Sequence, residues 1–251
     1  MRADATFLGH STVLLEIGGQ RVLTDPVLVD RLTMLRRTVS PLEAAMYSDI
    51  DVVVISHAHH DHLDLPSLRV LGRDVQLIVP RGIAQLLREA GFERVIELTA
   101  GTAIDLGGLH IAAVKAVHSG FRVPFGPVGE AVGYLIDEGS ERVYFAGDTD
   151  LFEEMAQLEG IDLALVPVWG WGPRLGVGHL DPSTAAEAVR LLQPTAVVPI
   201  HWGTLWPVGM GRVMPGRLHQ PPLEFARQSE RVAPSTRVLV TQPGETISIP
   251  R

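Results

Sequence analysis

Cysteine is absent from the 251 residues, so neither a disulfide framework nor a thiolate metal ligand is available. Any bound metal has to be held by imidazole and carboxylate. A run approaching the roughly 20 apolar residues of a membrane-spanning helix is also missing, and the opening Met1-Arg2-Ala3-Asp4-Ala5-Thr6 lacks the apolar core of a signal peptide. A cytoplasmic location without stable membrane insertion is the expectation. Positive charge is not in excess either: 21 Lys and Arg face 29 Asp and Glu, the net charge is -8, and the basic residues are mostly Arg spread along the chain. That balance argues against a nucleic-acid binder. Short-period repeats and low-complexity linkers are missing as well. What is there, 46% hydrophobic and 20% charged residues, suffices for a large core and reads as one domain over 1–251. A homo-oligomer is compatible with this composition.

Short β-rich runs open the chain at Ala5 to Leu8, Val13 to Ile17 and Arg21 to Thr24, with Gly18-Gly19 as a hairpin turn. The continuous apolar runs 51–55, 162–166 and 196–199 have the pattern of strands covered on both faces. Further strands are expected at Gln76 to Val79, around Val95, Ala103 and Ile111, and at Ala131 to Ile136, Arg142 to Phe145, Arg237 to Val240 and Thr246 to Ile249. Helices are expected near Pro66 to Leu71, Ile83 to Ala90, Leu151 to Leu158 and Leu223 to Glu230, and from Pro182 onward, where Asp181 suits an N-cap and Pro182 the first turn. Two β-sheets sandwiched between helices would bury these elements together. Arg31 to Arg37 carries only weak signals and reads as a solvated loop or short helix, with attraction of an anionic substrate or lipid headgroup as the alternative.

Chemistry concentrates in His57-Ala58-His59-His60-Asp61-His62. A turn after a buried strand here presents more ligand capacity than one tetrahedral ion uses, which points to two adjacent metal ions. Neutral imidazole and carboxylate suit Zn2+, with Mn2+ or Fe2+ as alternatives.

This run resembles the His-x-His-x-Asp-His signature of the metallo-β-lactamase superfamily, matched at His57, His59, Asp61 and His62. The resemblance spans nearly the whole chain and implies an α/β (α+β) fold, a four-layer αββα sandwich. It also implies that His57, His59 and His118 hold one metal, that Asp61, His62 and His201 hold the other, and that Asp148 bridges them. Taken alone, Gly147-Asp148 would be an ordinary turn, and His118 and His201 solvated or capped histidines. His60 is not counted as a ligand, and His10, His110 and His219 stay unassigned. Asp25 and Asp64 are candidates to accept the second ring N–H of a ligand histidine; the alternatives are a turn aspartate before proline and a helix N-cap.

Gly9-His10-Ser11-Thr12, Leu23-Thr24-Asp25-Pro26 and His179-Leu180-Asp181-Pro182 look like the branch containing N-acyl-phosphatidylethanolamine phospholipase D and L-ascorbate-6-phosphate lactonase. That likeness implies that His179 lies over the metal site and polarises the substrate or protonates the leaving group. The tryptophans Trp169, Trp171, Trp202 and Trp206 flank these motifs and are expected to wall one pocket, suited to an apolar or ring-shaped group. The implied function is a metal-dependent hydrolase in which a metal-bridging hydroxide, oriented by Asp61, cleaves a phosphodiester or a lactone or ester bond in a small substrate. The rival readings are a non-catalytic metal- or ligand-binding protein on the same fold and an RNA-processing nuclease.

Overall fold

The computed structural model describes residues 3–122, 126–172, 175–214 and 216–250; Met1 and Arg2 of the opening segment lie outside them. Strand β1 (Asp4–Gly9) pairs antiparallel with β2 (Thr12–Ile17), which turns into β3 (Gln20–Thr24). Gly18 and Gly19 make that turn with φ of 59° and 74°, the left-handed pair that matches the twist of a two-residue hairpin. The chain continues through a small hairpin, β4 (Arg31–Leu32) and β5 (Leu35–Arg37), to β6 (Val52–Val54). Next come α1 (Leu65–Leu71), β7 (Gln76–Pro80), α2 (Ala84–Glu89) and β8 (Val95–Leu98).

The second half runs β9 (Ala103–Leu106), β10 (Leu109–Lys115), β11 (Val132–Asp137), β12 (Arg142–Phe145) and β13 (Leu163–Pro167). It closes with α3 (Pro182–Leu192), β14 (Ala196–Ile200), β15 (Leu205–Pro207), α4 (Gly216–Val232), β16 (Arg237–Val238) and β17 (Thr246–Ser248). One seven-stranded sheet has the order β17-β1-β2-β3-β6-β7-β8 and a second has β16-β14-β13-β12-β11-β10-β9. A third, three-stranded sheet, β15-β5-β4, sits beside them.

Strand alternation sorts the side chains into layers. Phe7, Leu15, Val22 and Val54 meet Ile111, Tyr134 and Ile136 between the two large sheets. Their neighbours Leu14, Leu23, Val53 and Leu77 face the other way, onto Leu68 of α1 and Leu87 of α2. Helices α3 and α4 pack on each other, and Ala185, Val189 and Phe225 are fully buried in the cluster that includes the second sheet. Each large side chain so buried contributes about 1.5–3 kcal/mol. The four-layer arrangement expected from the resemblance is therefore met.

Two expectations change. Residues 151–158 hold a 3-10 turn, Glu153–Gln157, in place of an α-helix, closed by the i to i+3 bonds Phe152 to Met155 and Met155 to Leu158. Helix α4 begins seven residues before the expected Leu223 and carries Pro221 and Pro222 inside it, although prolines usually mark a helix start.

Strand direction decides where the loops gather. Because β1–β2 and β2–β3 are antiparallel while β3–β6 is parallel, β1, β3 and β6 all end at one edge of their sheet. The same logic sends β10, β12, β13 and β14 to a common edge of the other sheet. Loops leaving such carboxyl ends are where α/β sheets bind ligands.

Candidate metal centre

Parallel pairing of β3 with β6 sets Asp25, just past β3, beside Ser56, just past β6. The Asp25 carboxylate accepts the Ser56 N–H at 2.7 Å and the Ser56 hydroxyl at 2.5 Å. It also pairs with His62 Nδ1 at 2.6 Å. Ser56 Oγ in turn lies 2.9 Å from His57 Nδ1. On the other sheet, His118 Nδ1–H donates to the Gly178 carbonyl at 2.7 Å and His201 Nδ1–H to the Trp169 carbonyl at 3.0 Å. An oxygen acceptor on Nδ1 fixes the proton there and leaves Nε2 as a bare lone pair.

Those bare nitrogens converge. His62 Nε2 and His201 Nε2 are 3.0 Å apart, and His118 Nε2 is 3.1 Å from His59 Nδ1. His57 Nε2 is buried without a hydrogen-bond partner among the described residues, as is Asp148 Oδ1, which lies 3.3 Å from His201 Nε2. Facing lone pairs and orphaned buried acceptors are unfavourable unless a positive charge sits among them. Among the described residues four groups have ligand atoms all within 4.8 Å of one another: His57, His59 and His118; His10, Asp61, His62 and His201; Asp25, His57 and His62; and His118, Asp148 and His179. Asp148 approaches both of the first two, with Oδ2 3.2 Å from His62 Nε2. The donor set therefore fits divalent metal, hard enough for carboxylate and borderline enough for imidazole.

Electrostatics point the same way. Burial lowers the His57 pKa well below the usual range and takes His118 to about 4, which keeps both imidazoles neutral. His62 differs: burial would lower it too, yet the Asp148, Asp61 and Asp25 carboxylates outweigh it and hold its pKa well above the ordinary value, so a proton on Nε2, 3.2 Å from Asp148 Oδ2, supplies the positive charge that a cation would otherwise bring to this point. Burial works against ionisation of Asp148, but His201 and His62 bring its pKa well below that of a free carboxylate.

Backbone strain collects here. Among the described residues other than glycine, six have positive φ, and His10 (55°), Asp25 (31°) and His201 (62°) are three of them. Left-handed backbone at such residues costs about 1–3 kcal/mol and persists only where neighbours over-determine it. Gly178 is forced for a different reason: its φ is +84° and a Cβ would come 2.9 Å from His118 Nδ1.

A Beta-lactamase superfamily domain model matches residues 20–202. A UPF0173 metal-dependent hydrolase of Methanopyrus kandleri is 34% identical over 248 residues, covering 96% of this chain and 97% of its own. The chain belongs to the metallo-β-lactamase superfamily, in the UPF0173 metal-dependent hydrolase family. A solved relative, Igni18, a metallo hydrolase from the archaeon Ignicoccus hospitalis, is 30% identical with a TM-score of 0.76 over 98% of each chain. The isothiocyanate hydrolase from Delia radicum gut bacteria shares the fold, with a TM-score of 0.75 over 98% of this chain and 99% of its own at 18% identity.

In this UPF0173 chain the centre forms the floor of a cavity of about 590 Å³ lined by His59, Asp61, Asp148, His179 and His201. His179 is half-buried, with Nε2 3.4 Å from Asp148 Oδ2 and its ring edge-on to His118 at 4.7 Å. Burial lowers its pKa, but Asp148 more than compensates and the net shift is upward. The seven expected ligands and His179 thus come together, and His60 lines the cavity outside these groups.

Other expectations divide. Asp25 binds a candidate ligand, whereas Asp64 caps α1, accepting from the Ser67 N–H at 2.9 Å and from its hydroxyl. Of the four tryptophans, Trp171 lines the cavity. Trp202 is buried against Phe7 at 6.1 Å, and Trp206 is buried on β15; large rings next to a site motif were drawn into the interior by their apolar area. Trp169 is buried as well, serving His201 through its carbonyl and lying under the Arg217 guanidinium at 4.6 Å. The segment Arg31 to Arg37 is neither loop nor helix but the β4–β5 hairpin, held by pairing of β5 with β15. Its Arg37 is buried and donates to the Val27 carbonyl at 2.6 Å.

Two residues escaped sequence reasoning. His10 sits at a bulge ending β1, fully buried, with Nε2 3.0 Å from Asp61 Oδ2 and its ring 4.0 Å from His201; its carbonyl accepts the His201 N–H at 2.7 Å. The signal was present in Gly9-His10, a strained pair at a strand end. Arg122 donates to the Ala58 and Leu63 carbonyls at 2.7 and 2.9 Å and so clamps the histidine loop, and no sequence signal marks it.

Proposed function

We propose that this UPF0173 protein is a two-metal hydrolase that cleaves a phosphodiester or a lactone or ester bond in a small substrate, as in the branch that holds N-acyl-phosphatidylethanolamine phospholipase D and L-ascorbate-6-phosphate lactonase. The observation that carries this reading is the ring of imidazoles whose outer nitrogens are engaged and whose inner nitrogens face one another across 3.0 Å. His57, His59 and His118 would hold one cation and Asp61, His62 and His201 the other, with Asp148 within reach of both groups. Zn2+ suits the donors, with Mn2+ or Fe2+ as alternatives. Divalent metals at an open site bring the pKa of water to near 7 and stabilise developing negative charge.

The chain's own groups do the rest. Asp61, fixed by the His10 hydrogen bond, orients the attacking water. His179 stands on the cavity side of Asp148 with a raised pKa, so it is protonated over a wider range than a free imidazole and donates its Nε2 proton to the departing oxygen. Trp171 and the small hairpin enclose the substrate. A screen of bis-p-nitrophenyl phosphate beside a lactone panel, with metal content measured on the same samples, tests the assignment. Turnover that falls with bound metal in His57→Ala and Asp148→Ala is expected. A fully active, metal-free Asp148→Ala protein refutes it, and tight ligand binding without any turnover favours the non-catalytic alternative.

A further inference from the structure

Resting on the hydrolase reading, we infer that the substrate carries an uncharged apolar arm beside the scissile bond, received by the β4–β5 hairpin and Trp171. The hairpin is two-faced. Leu32 and Leu35 are cross-strand partners, as are Arg31 and Arg36, and successive residues along a strand point to opposite sides. Leu32 and Leu35 are buried and line the cavity, whereas Arg31 and Arg36 are exposed on the opposite face. The side that could have met an anionic arm with two guanidinium groups is turned away from the site.

The remaining wall agrees. Met34 at the hairpin tip, Trp171 and Leu175 complete it, and among the described lining residues there is no Lys or Arg. Met34 and Trp171 keep 66% and 36% of their surface exposed, and Val208, hydrogen-bonded through its N–H to the Met34 carbonyl, keeps 60%. Apolar surface left open at the lip of a cavity whose floor carries the candidate metal ligands has one economical use, the burial of an apolar group held next to the reacting bond. A second charged group on that arm would lie against Leu32, Leu35 and Trp171 with no Lys or Arg partner among the described lining residues, which is unfavourable.

The test uses the metal-loaded full chain and two matched series, p-nitrophenyl alkanoates and alkyl p-nitrophenyl phosphodiesters, lengthened one methylene at a time, each with a terminal-carboxylate counterpart. For the series that turns over, kcat/KM is expected to rise about 4-fold per methylene, from roughly 0.8 kcal/mol for each one buried. The carboxylate end is expected to lower it about 10-fold or more. Trp171→Ala and Met34→Ser should flatten the slope. A flat wild-type series, or a preference for the charged arm, overturns the inference while leaving the hydrolase reading intact. If no member of either series turns over, hydrolysis of these bonds falls. Displacement titrations with alkylphosphonates bearing the same arms, read by tryptophan fluorescence, then measure the arm preference by itself, and equal affinity for all arms overturns it.

Discussion

Asp25→Asn tests the support of the centre without touching a candidate ligand. Asparagine keeps the size of the side chain and tolerates the left-handed backbone that residue 25 adopts at φ 31°, so the fold should survive. What changes is the link to His62 Nδ1, now a carboxylate contact of 2.6 Å in a fully buried setting, along with two bonds from Ser56. A hydrogen bond to a charged group is worth about 1.5–3 kcal/mol, which at 1.4 kcal/mol per tenfold corresponds to roughly 10- to 150-fold in affinity. Loss of such an outer partner typically weakens metal binding about 10–100-fold. Chelator competition on the purified variant, with metal content per chain, should therefore show a loss of at least about tenfold. Asp64→Asn is the control: it caps α1 through Ser67, asparagine caps almost as well, and metal affinity should not move. If Asp25→Asn melts like the wild type and binds metal equally well, the inference from outer-nitrogen partners to a poised inner ring is wrong.

Three further outcomes are expected. His10→Asn should accept the left-handed backbone but fail to reach Asp61; kcat or metal affinity should fall about tenfold or more, and His10→Gln, which can still donate, should recover part of it. Gly178→Ala should weaken metal binding and lower stability by about 1–3 kcal/mol in denaturant unfolding, because its Cβ would meet His118 Nδ1 at 2.9 Å on a backbone with φ +84°. Trp202→Ala should destabilise by about 3–5 kcal/mol, since the ring is buried against Phe7, whereas a drop in activity without loss of stability would return Trp202 to the cavity wall.

Much of this fold is local in origin and so could be read from the chain. The apolar run of β6 and the cluster just after it lie within a dozen residues, and Asp181 with Pro182 announces α3 at the position where its carboxylate accepts from Ser183 and Thr184. Long-range geometry was not legible. His10 finds Asp61 across 51 positions, and nothing in the Gly9-His10 pair says which loop it will meet. The two- and three-residue strands β4 and β5 have no propensity strong enough to declare themselves; they exist because β15, from the far end of the chain, pairs with one of them. Aspartates at 25 and 64 have similar neighbourhoods in sequence, yet one faces a histidine and the other a helix start, a difference set by the parallel pairing of β3 with β6. The tryptophans misled because proximity along the chain to a site motif does not decide which way a ring turns.

The common edge at which β6 ends on one sheet and β10, β12 and β14 end on the other has a mechanical consequence. His57, His59, Asp61 and His62 leave the first sheet, while His118, Asp148 and His201 leave the second. Metal held by both sets is a rivet through the seam between the layers, and neither half of the chain can carry a complete cage by itself. Loading would then come after assembly of the two sheets, and prying them apart would have to break coordination bonds as well as the apolar interface. At a thousandfold excess of metal over its dissociation constant, that linkage adds about 4 kcal/mol against unfolding for each ion. Ions bound there to make water reactive would thus also keep the two halves of the sandwich joined.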